Sequence, residues 1–222
     1  MHCKARYLAF FYALFLVTAC KQSAHISEPP AAASLNELLE GNQRFATHHP
    51  LHPHESASRM NEIAGGQHPP VAVICCSDSR VPPEIIFDQG LGDMFVVRTA
   101  GNLLGGLEIG SIEYAVEHLG VKQILVMGHR ECGAVKAFVE GGDLPGHIKD
   151  IVDSIKSEQE IRQLPVNDKE LLDHSIRANI LHGMHQLSHQ SELIREKIRK
   201  GEITISAACY DLKKGIVEIF RD

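Results

Sequence analysis

Apolar side chains recur along this chain in two rhythms. Val71 to Cys75, Met94 to Val97 and Gln123 to Met127 are short runs rich in branched residues without polar alternation, the pattern of strands buried on both faces. Leu107 to Leu119 and Ala134 to Val139 follow two of these runs and carry a helical period, as does the stripe Ile148, Ile151, Val152 and Ile155. Strands alternating with helices predict an α/β domain with a mostly parallel central sheet flanked by helices.

Local signals add detail at both ends. Ser34 with Glu37 predicts a capped helix start, followed by Leu35, Leu38, Leu39 and Phe45 at helical spacing. His48 to His54, rich in His and Pro, reads as loop. Asn167 with Glu170 predicts the cap of a helix carrying Leu171, Leu172, Ile176, Ile180 and Leu181, and a further helix is expected from about Ser188 to Lys200, stopping at Gly201. Ile203 to Cys209, a turn over Asp211 to Gly215, and Ile216 to Phe220 predict a C-terminal edge hairpin. No internal repeat is present.

The first residues follow a different logic. Lys4 and Arg6 precede an apolar run from Tyr7 to Ala19, shorter than the roughly 20 residues that span a bilayer and typical of a signal peptide. It ends in Val17-Thr18-Ala19-Cys20, which resembles a bacterial lipobox whose cysteine becomes lipidated; an ordinary secretory signal is the alternative. The expected organisation is a signal peptide over 1–19, a Pro/Ala/Ser tether over 20–33 and a single catalytic domain over 34–222. Lys21, rather than Asp, follows the cysteine, so a periplasmic protein anchored to the outer membrane through Cys20 is expected.

The full chain of 222 residues carries 22 basic and 28 acidic side chains. Removing Lys4 and Arg6 with the signal leaves 20 against 28, a net charge of −8. An acidic chain without a basic stripe is a poor nucleic-acid binder. Of six cysteines, Cys3 leaves with the signal and Cys20 takes lipid. Cys75, Cys76, Cys132 and Cys209 remain, in an export context that permits disulfides, so metal and disulfide compete to explain Cys76 and Cys132.

Cys76-Ser77-Asp78-Ser79-Arg80 and His129-Arg130-Glu131-Cys132 each lie just past a buried strand, where open α/β sheets place their ligands. Two thiols and one imidazole suit zinc, and three protein ligands leave a fourth position for water, as in catalytic sites. Asp78 can close that position or pair with Arg80, whose planar fork matches a carboxylate. Helix N-termini favour anions, and so Cys132 as thiolate. A closed structural zinc site and a Cys76–Cys132 disulfide remain the alternatives. Cys75 should face away from Cys76, and both Cys75 and Cys209 read as core.

With these motifs the chain resembles the β-class carbonic anhydrases, from about Leu35 to Phe220. The stretch Phe87-Asp88-Gln89-Gly90-Leu91-Gly92-Asp93-Met94-Phe95-Val96-Val97-Arg98-Thr99-Ala100-Gly101-Asn102 is similar to bacterial members. The resemblance implies that Cys76, His129 and Cys132 bind Zn2+, that Asp78 and Arg80 form the catalytic dyad, and that zinc-bound hydroxide reversibly hydrates carbon dioxide to bicarbonate. It further implies substrate contacts by Gln67, Phe95, Ala100, Tyr114 and the Gly133 backbone, with the glutamine, phenylalanine and tyrosine completing the site across the interface of a homodimer or homotetramer. Ala100 stands where plant-type members have valine. A regulatory bicarbonate site in one subfamily needs a tryptophan, and this chain has none.

Two other functions fit the same ligands. One is hydrolysis of carbon disulfide or carbonyl sulfide. The other is a non-catalytic periplasmic zinc-binding lipoprotein, in which His48, His49, His52, His54 and His68 would gather metal.

Overall fold

The structure, a computed structural model, describes residues 35–165 and 167–220. The signal peptide, the tether and the Ser34 cap expected from the sequence lie outside these residues, as does Cys20. In chain order the elements are α1 (Leu35–Ala46), α2 (Ala57–Ile63), β1 (Val71–Cys76), α3 (Pro83–Ile86), β2 (Met94–Thr99), a 3-10 turn (Ala100–Asn102), α4 (Gly106–His118), β3 (Gln123–His129) and α5 (Gly133–Glu140). There follow α6 (Ile148–Ser157), α7 (Gln159–Arg162), α8 (Leu171–Gln190), α9 (Glu192–Arg199), β4 (Thr204–Asp211) and β5 (Ile216–Ile219).

The five strands form one sheet in the order β2-β1-β3-β4-β5. The first four are parallel to their neighbours, and β5 returns antiparallel along β4. The sheet is therefore mostly parallel and ends in the expected hairpin. All residues of β1 and β3 are buried, as central strands covered on both faces must be. β2 is an edge strand and only partly buried, so its apolar run does not mark a strand enclosed on both faces.

Side chains alternate across the sheet, and the core divides accordingly. Ala72, Ile74, Cys76, Ile124, Val126, Ala207 and Cys209 pack with side chains of α4, α5, α6, α8 and α9. Val71, Val73, Cys75, Leu125, Met127, Ala208 and Tyr210 point the other way, toward Leu38 of α1, Ile86 of α3 and Phe87 just after it. Cys75 and Cys76 thus face opposite cores, and Cys209 is buried. Asn42 ties α1 to the hairpin: its amide donates to the Ile86 and Gly215 carbonyls at 3.1 and 2.8 Å and accepts from Val217 N–H at 2.8 Å.

Two helix boundaries differ from the sequence expectation. Glu170 flanks α8 without a side-chain cap; Asp168 instead accepts the Glu170 N–H at 2.9 Å and pairs with His174 at 2.5 Å. Ser188 lies inside α8, which continues to Gln190, and the cap of α9 is Ser191, whose Oγ accepts the Ile194 N–H at 3.1 Å. Both serines fit a capping signal; Ser191 wins because it is buried at the joint, where its hydroxyl also donates to Glu113 at 2.6 Å.

Candidate metal centre

β1 and β3 are neighbours in the sheet, so their C-terminal ends bring Cys76 and His129 side by side. The chain then turns back through Glu131, whose φ of +56° is left-handed and uncommon for a residue with a side chain. That reversal lets Cys132, the residue before α5, return to the same point. One ligand atom from each of Cys76, His129 and Cys132 lies within 4.8 Å of the others, and all three residues are buried.

His129 is held in a ligating posture. Its Nδ1 donates to the Arg130 carbonyl at 2.9 Å, which leaves Nε2 as the free nitrogen. Nε2 is buried without a hydrogen-bond partner, an arrangement that is costly unless the nitrogen binds something. A metal ligand whose other ring nitrogen bonds a backbone carbonyl is the usual solution.

The two cysteines are free thiols, coupled to one another. A hydrogen bond from Cys132 lowers the Cys76 thiol far below the ordinary range, against the opposing effect of burial; His129 and the N–H groups of Asp78 and Gly101 contribute further. Cys132 is driven the other way, first by its bond to Cys76 and then by burial, while the N–H groups of Val135 and Ala134 oppose that shift. Two sulfurs and an unpartnered imidazole nitrogen suit zinc, whose charge lets both thiols ionise. Cys75, by contrast, is pushed up to about 12 by burial and faces the opposite core.

Asp78 follows Cys76 on a tight turn. Its Oδ1 accepts from the Arg80 N–H and Nε, both at 2.9 Å, and Oδ2 from Nη2 at 2.7 Å. Arg80 thereby holds the carboxyl well below the usual carboxylate range. Oδ2 stands 3.9 Å from His129 Nε2, beside the metal position but engaged with Arg80. Arg98 fixes the turn from behind, donating from Nε to the Cys76 carbonyl at 3.1 Å and from Nη2 to the Asp78 carbonyl at 2.8 Å.

The remaining expected residues divide: Ala100 and Gly133 adjoin the ligands, whereas Gln67 precedes β1 and Phe95 pairs with Ala72, toward the end of the sheet away from Cys76. Gly133 opens α5 next to Cys132, and a Cβ there would meet nothing within 4 Å, so the space beside the ligand is open. Ala100 is exposed at the start of the 3-10 turn. Phe95 on β2 and Tyr114 on α4 have ring centroids 6.5 Å apart. Tyr114 is 48 % exposed and lies 5.2 Å from the His118 ring. Gln67 is exposed on the loop before β1 and makes no hydrogen bond among the described residues. The loop histidines do not converge: His54 binds Asp93 at 2.7 Å and His52 faces Glu55 at 3.6 Å. Among the described residues, no second group of three such side chains brings one ligand atom from each within 4.8 Å of the others.

Three participants had no signal in the sequence pattern: Arg98, Gly101, whose N–H donates to Cys76 Sγ at 3.4 Å, and the left-handed Glu131. Arg98 lies in a strand and looks like an ordinary exposed position. Only the pairing of β2 with β1, which sets Arg98 opposite Cys75, turns it toward the site.

Comparison with known proteins agrees with this geometry. Residues 71–217 match the family model described as carbonic anhydrase. The chain is 39 % identical over 187 residues to carbonic anhydrase 2 of Mycobacterium tuberculosis, covering 82 % of this chain and 89 % of that protein. It is 31 % identical to a carbonic anhydrase of Synechococcus elongatus, covering 82 % and 70 %. Among solved structures, the β-carbonic anhydrase CcaA superposes with a TM-score of 0.68 at 28 % identity, covering 84 % of this chain and 94 % of that one. A structure from work on two tetrameric β-carbonic anhydrases of Sordaria macrospora gives 0.66 at 27 % identity, covering 84 % and 96 %.

Proposed function

The chain belongs to the β class of the carbonic anhydrase family, and from that premise we propose a role for each residue around its metal centre. The protein is a zinc enzyme that interconverts carbon dioxide and bicarbonate. Cys76, His129 and Cys132 would hold the ion, which when bound would supply Lewis-acid chemistry that lowers the pKa of water toward neutrality, as zinc does in the three-histidine carbonic anhydrases.

The chain's own groups do the rest. Arg80 keeps the Asp78 carboxylate ionised and paired, placed so that it would accept a hydrogen bond from the reacting water and orient it. The Gly133 N–H and, from across the dimer interface, the Gln67 amide of a second copy donate to the oxygens of bicarbonate. Ala100, with Phe95 and Tyr114 from across the dimer interface, furnishes an apolar wall for carbon dioxide. The observation that carries this reading is the convergence of three ligand atoms within 4.8 Å, beside an aspartate already bound by arginine. Stopped-flow turnover of carbon dioxide and of carbon disulfide by the zinc protein tests it. Faster hydration of carbon dioxide is expected; faster sulfide release would replace the substrate.

We further propose that the working unit is a homodimer or a tetramer built from it, with β2 and α4 at the interface. β2 is a partly exposed sheet edge, and Leu107 and Tyr114 on α4 are 85 % and 48 % exposed; such apolar side chains favour burial against a second copy. A fully active monomer in sedimentation would refute this assembly. The N-terminal sequence supports export and an outer-membrane lipid anchor at Cys20. Cys20→Ala should then release the protein from membranes, and continued membrane attachment would contradict the anchor.

A further inference from the structure

Behind the metal centre lies a chain of buried polar side chains that the catalytic reading does not use. Glu158 sits at the joint between α6 and α7 and is 2 % exposed. Its Oε1 accepts from Asn179 Nδ2 at 2.9 Å, and Asn179 Oδ1 in turn accepts from Asn102 Nδ2 at 2.8 Å. Asn179 and Asn102 are each 2 % exposed. Three elements far apart in sequence thus meet through two hydrogen bonds that water does not reach.

The near end of this chain abuts the metal ligands. Asn102 closes the 3-10 turn, and its φ of +49° follows a φ of +69° at Gly101. Two successive left-handed residues form a conformation that needs support from its surroundings. The turn aims the Gly101 N–H at Cys76 Sγ. Asn102 Oδ1 also lies 3.2 Å from where a Cβ on Gly128 would stand, directly before the ligand His129.

We propose that Glu158 is a positioning residue for the metal centre, acting through Asn179 and Asn102 to fix the turn whose Gly101 N–H bonds Cys76 Sγ. The proposal rests on the reading of Cys76, His129 and Cys132 as the zinc ligands. The chemistry of the buried end agrees with it. Burial pushes the Glu158 carboxyl up to about 8, against the hydrogen bond from Asn179, so at pH 7 it is mainly a neutral acid. Its second oxygen has no partner, which a neutral group tolerates far better than an ionised one. Glutamine therefore reproduces the functional state, and leucine removes the acceptor that orients Asn179.

The test is the zinc dissociation constant at pH 7, from competition with a chromophoric chelator, with the apo-protein melting temperature recorded alongside. Outer partners of metal ligands typically govern affinity by 10- to 100-fold. Glu158→Leu is expected to weaken zinc binding about tenfold, and Glu158→Gln to stay within about twofold of the parent. Asn102→Gly, which adopts the left-handed turn without strain but cuts the chain, is expected to match the leucine variant and decides the matter if that variant does not fold. A purely structural role would lower the melting temperature and leave zinc affinity intact in Asn102→Gly; that result, or equal losses in the Gln and Leu variants, overturns the proposal. A parent protein that binds no zinc would instead defeat the underlying assignment of the ligands.

Discussion

Arg80 grips Asp78 at both oxygens, Nε to Oδ1 at 2.9 Å and Nη2 to Oδ2 at 2.7 Å. The fork matches the carboxylate as a bidentate pair does, and it would compete with a bound zinc for Asp78, whose Oδ2 is only 3.9 Å from His129 Nε2. Freed from Arg80, Asp78 is placed to occupy the fourth zinc position and exclude water. Arg80→Ala should therefore lose about 100-fold in kcat/KM, the scale of a positioned acid–base group, while keeping one zinc per chain. Stopped-flow hydration with metal analysis on the same samples checks this; full activity in the variant would show that the pair does not guard the site.

Glu158 gives the protein a characteristic dependence on pH. Its carboxyl is raised by burial from 4.5 to about 8, so between these values the unfolded chain has released a proton that the folded chain retains. Its contribution to stability is then complete below about pH 4.5, declines as pH rises, and is gone above about pH 8. The slope is at most about 1.4 kcal/mol per pH unit. Glu158→Gln carries no such proton, so the difference between variant and parent in urea unfolding should grow from pH 5 to pH 7.5. Parallel curves would place the Glu158 carboxyl in the ordinary range.

Gly128 precedes His129 and faces α8. A Cβ there would fall 2.5 Å from Ile180 Cγ1 and 2.6 Å from its Cδ1, and Ile180 is fully buried. Gly128→Ala should cost about 1–3 kcal/mol by overpacking. In a double-mutant cycle, Ile180→Ala should recover part of that loss, a coupling expected of residues in direct contact; strict additivity in urea unfolding would contradict the close approach.

Asn42 serves three backbone groups that water does not reach easily: the Ile86 and Gly215 carbonyls and the Val217 N–H. Asn42→Leu keeps the volume and leaves all three without that partner, so a loss of about 3 kcal/mol is expected. Thermal unfolding measures it, and an unchanged melting temperature would mean that α1 and the hairpin are held by apolar packing alone.

How far these features can be read from the chain depends on how local they are. The parallel sheet follows from Val71–Cys76 and Gln123–His129, because strands buried on both faces announce themselves as unbroken apolar runs. The metal ligands are legible for a related reason: Cys76 and His129 end such strands, and a two-residue gap brings Cys132 back. The edge character of β2 is not legible, since a strand bordering solvent can carry the same Met-Phe-Val-Val as a buried one. Nor are Arg98, Gly101 or the Glu158–Asn179–Asn102 chain, whose partners are 20 to 77 residues apart in sequence. The capping signal at Asn167 and the helix start expected near Ser188 misplace helix ends because several polar residues nearby fit a cap equally well, and tertiary contacts choose among them.

Everything above turns on Cys76, His129 and Cys132 holding the zinc ion that makes this chain a carbon dioxide hydratase. The most direct test is stopped-flow hydration measured together with zinc content for the parent and for Cys132→Ala. The parent should carry one zinc per chain and hydrate carbon dioxide rapidly, and the variant should lose both. Undiminished hydration by a zinc-free Cys132→Ala protein would contradict it.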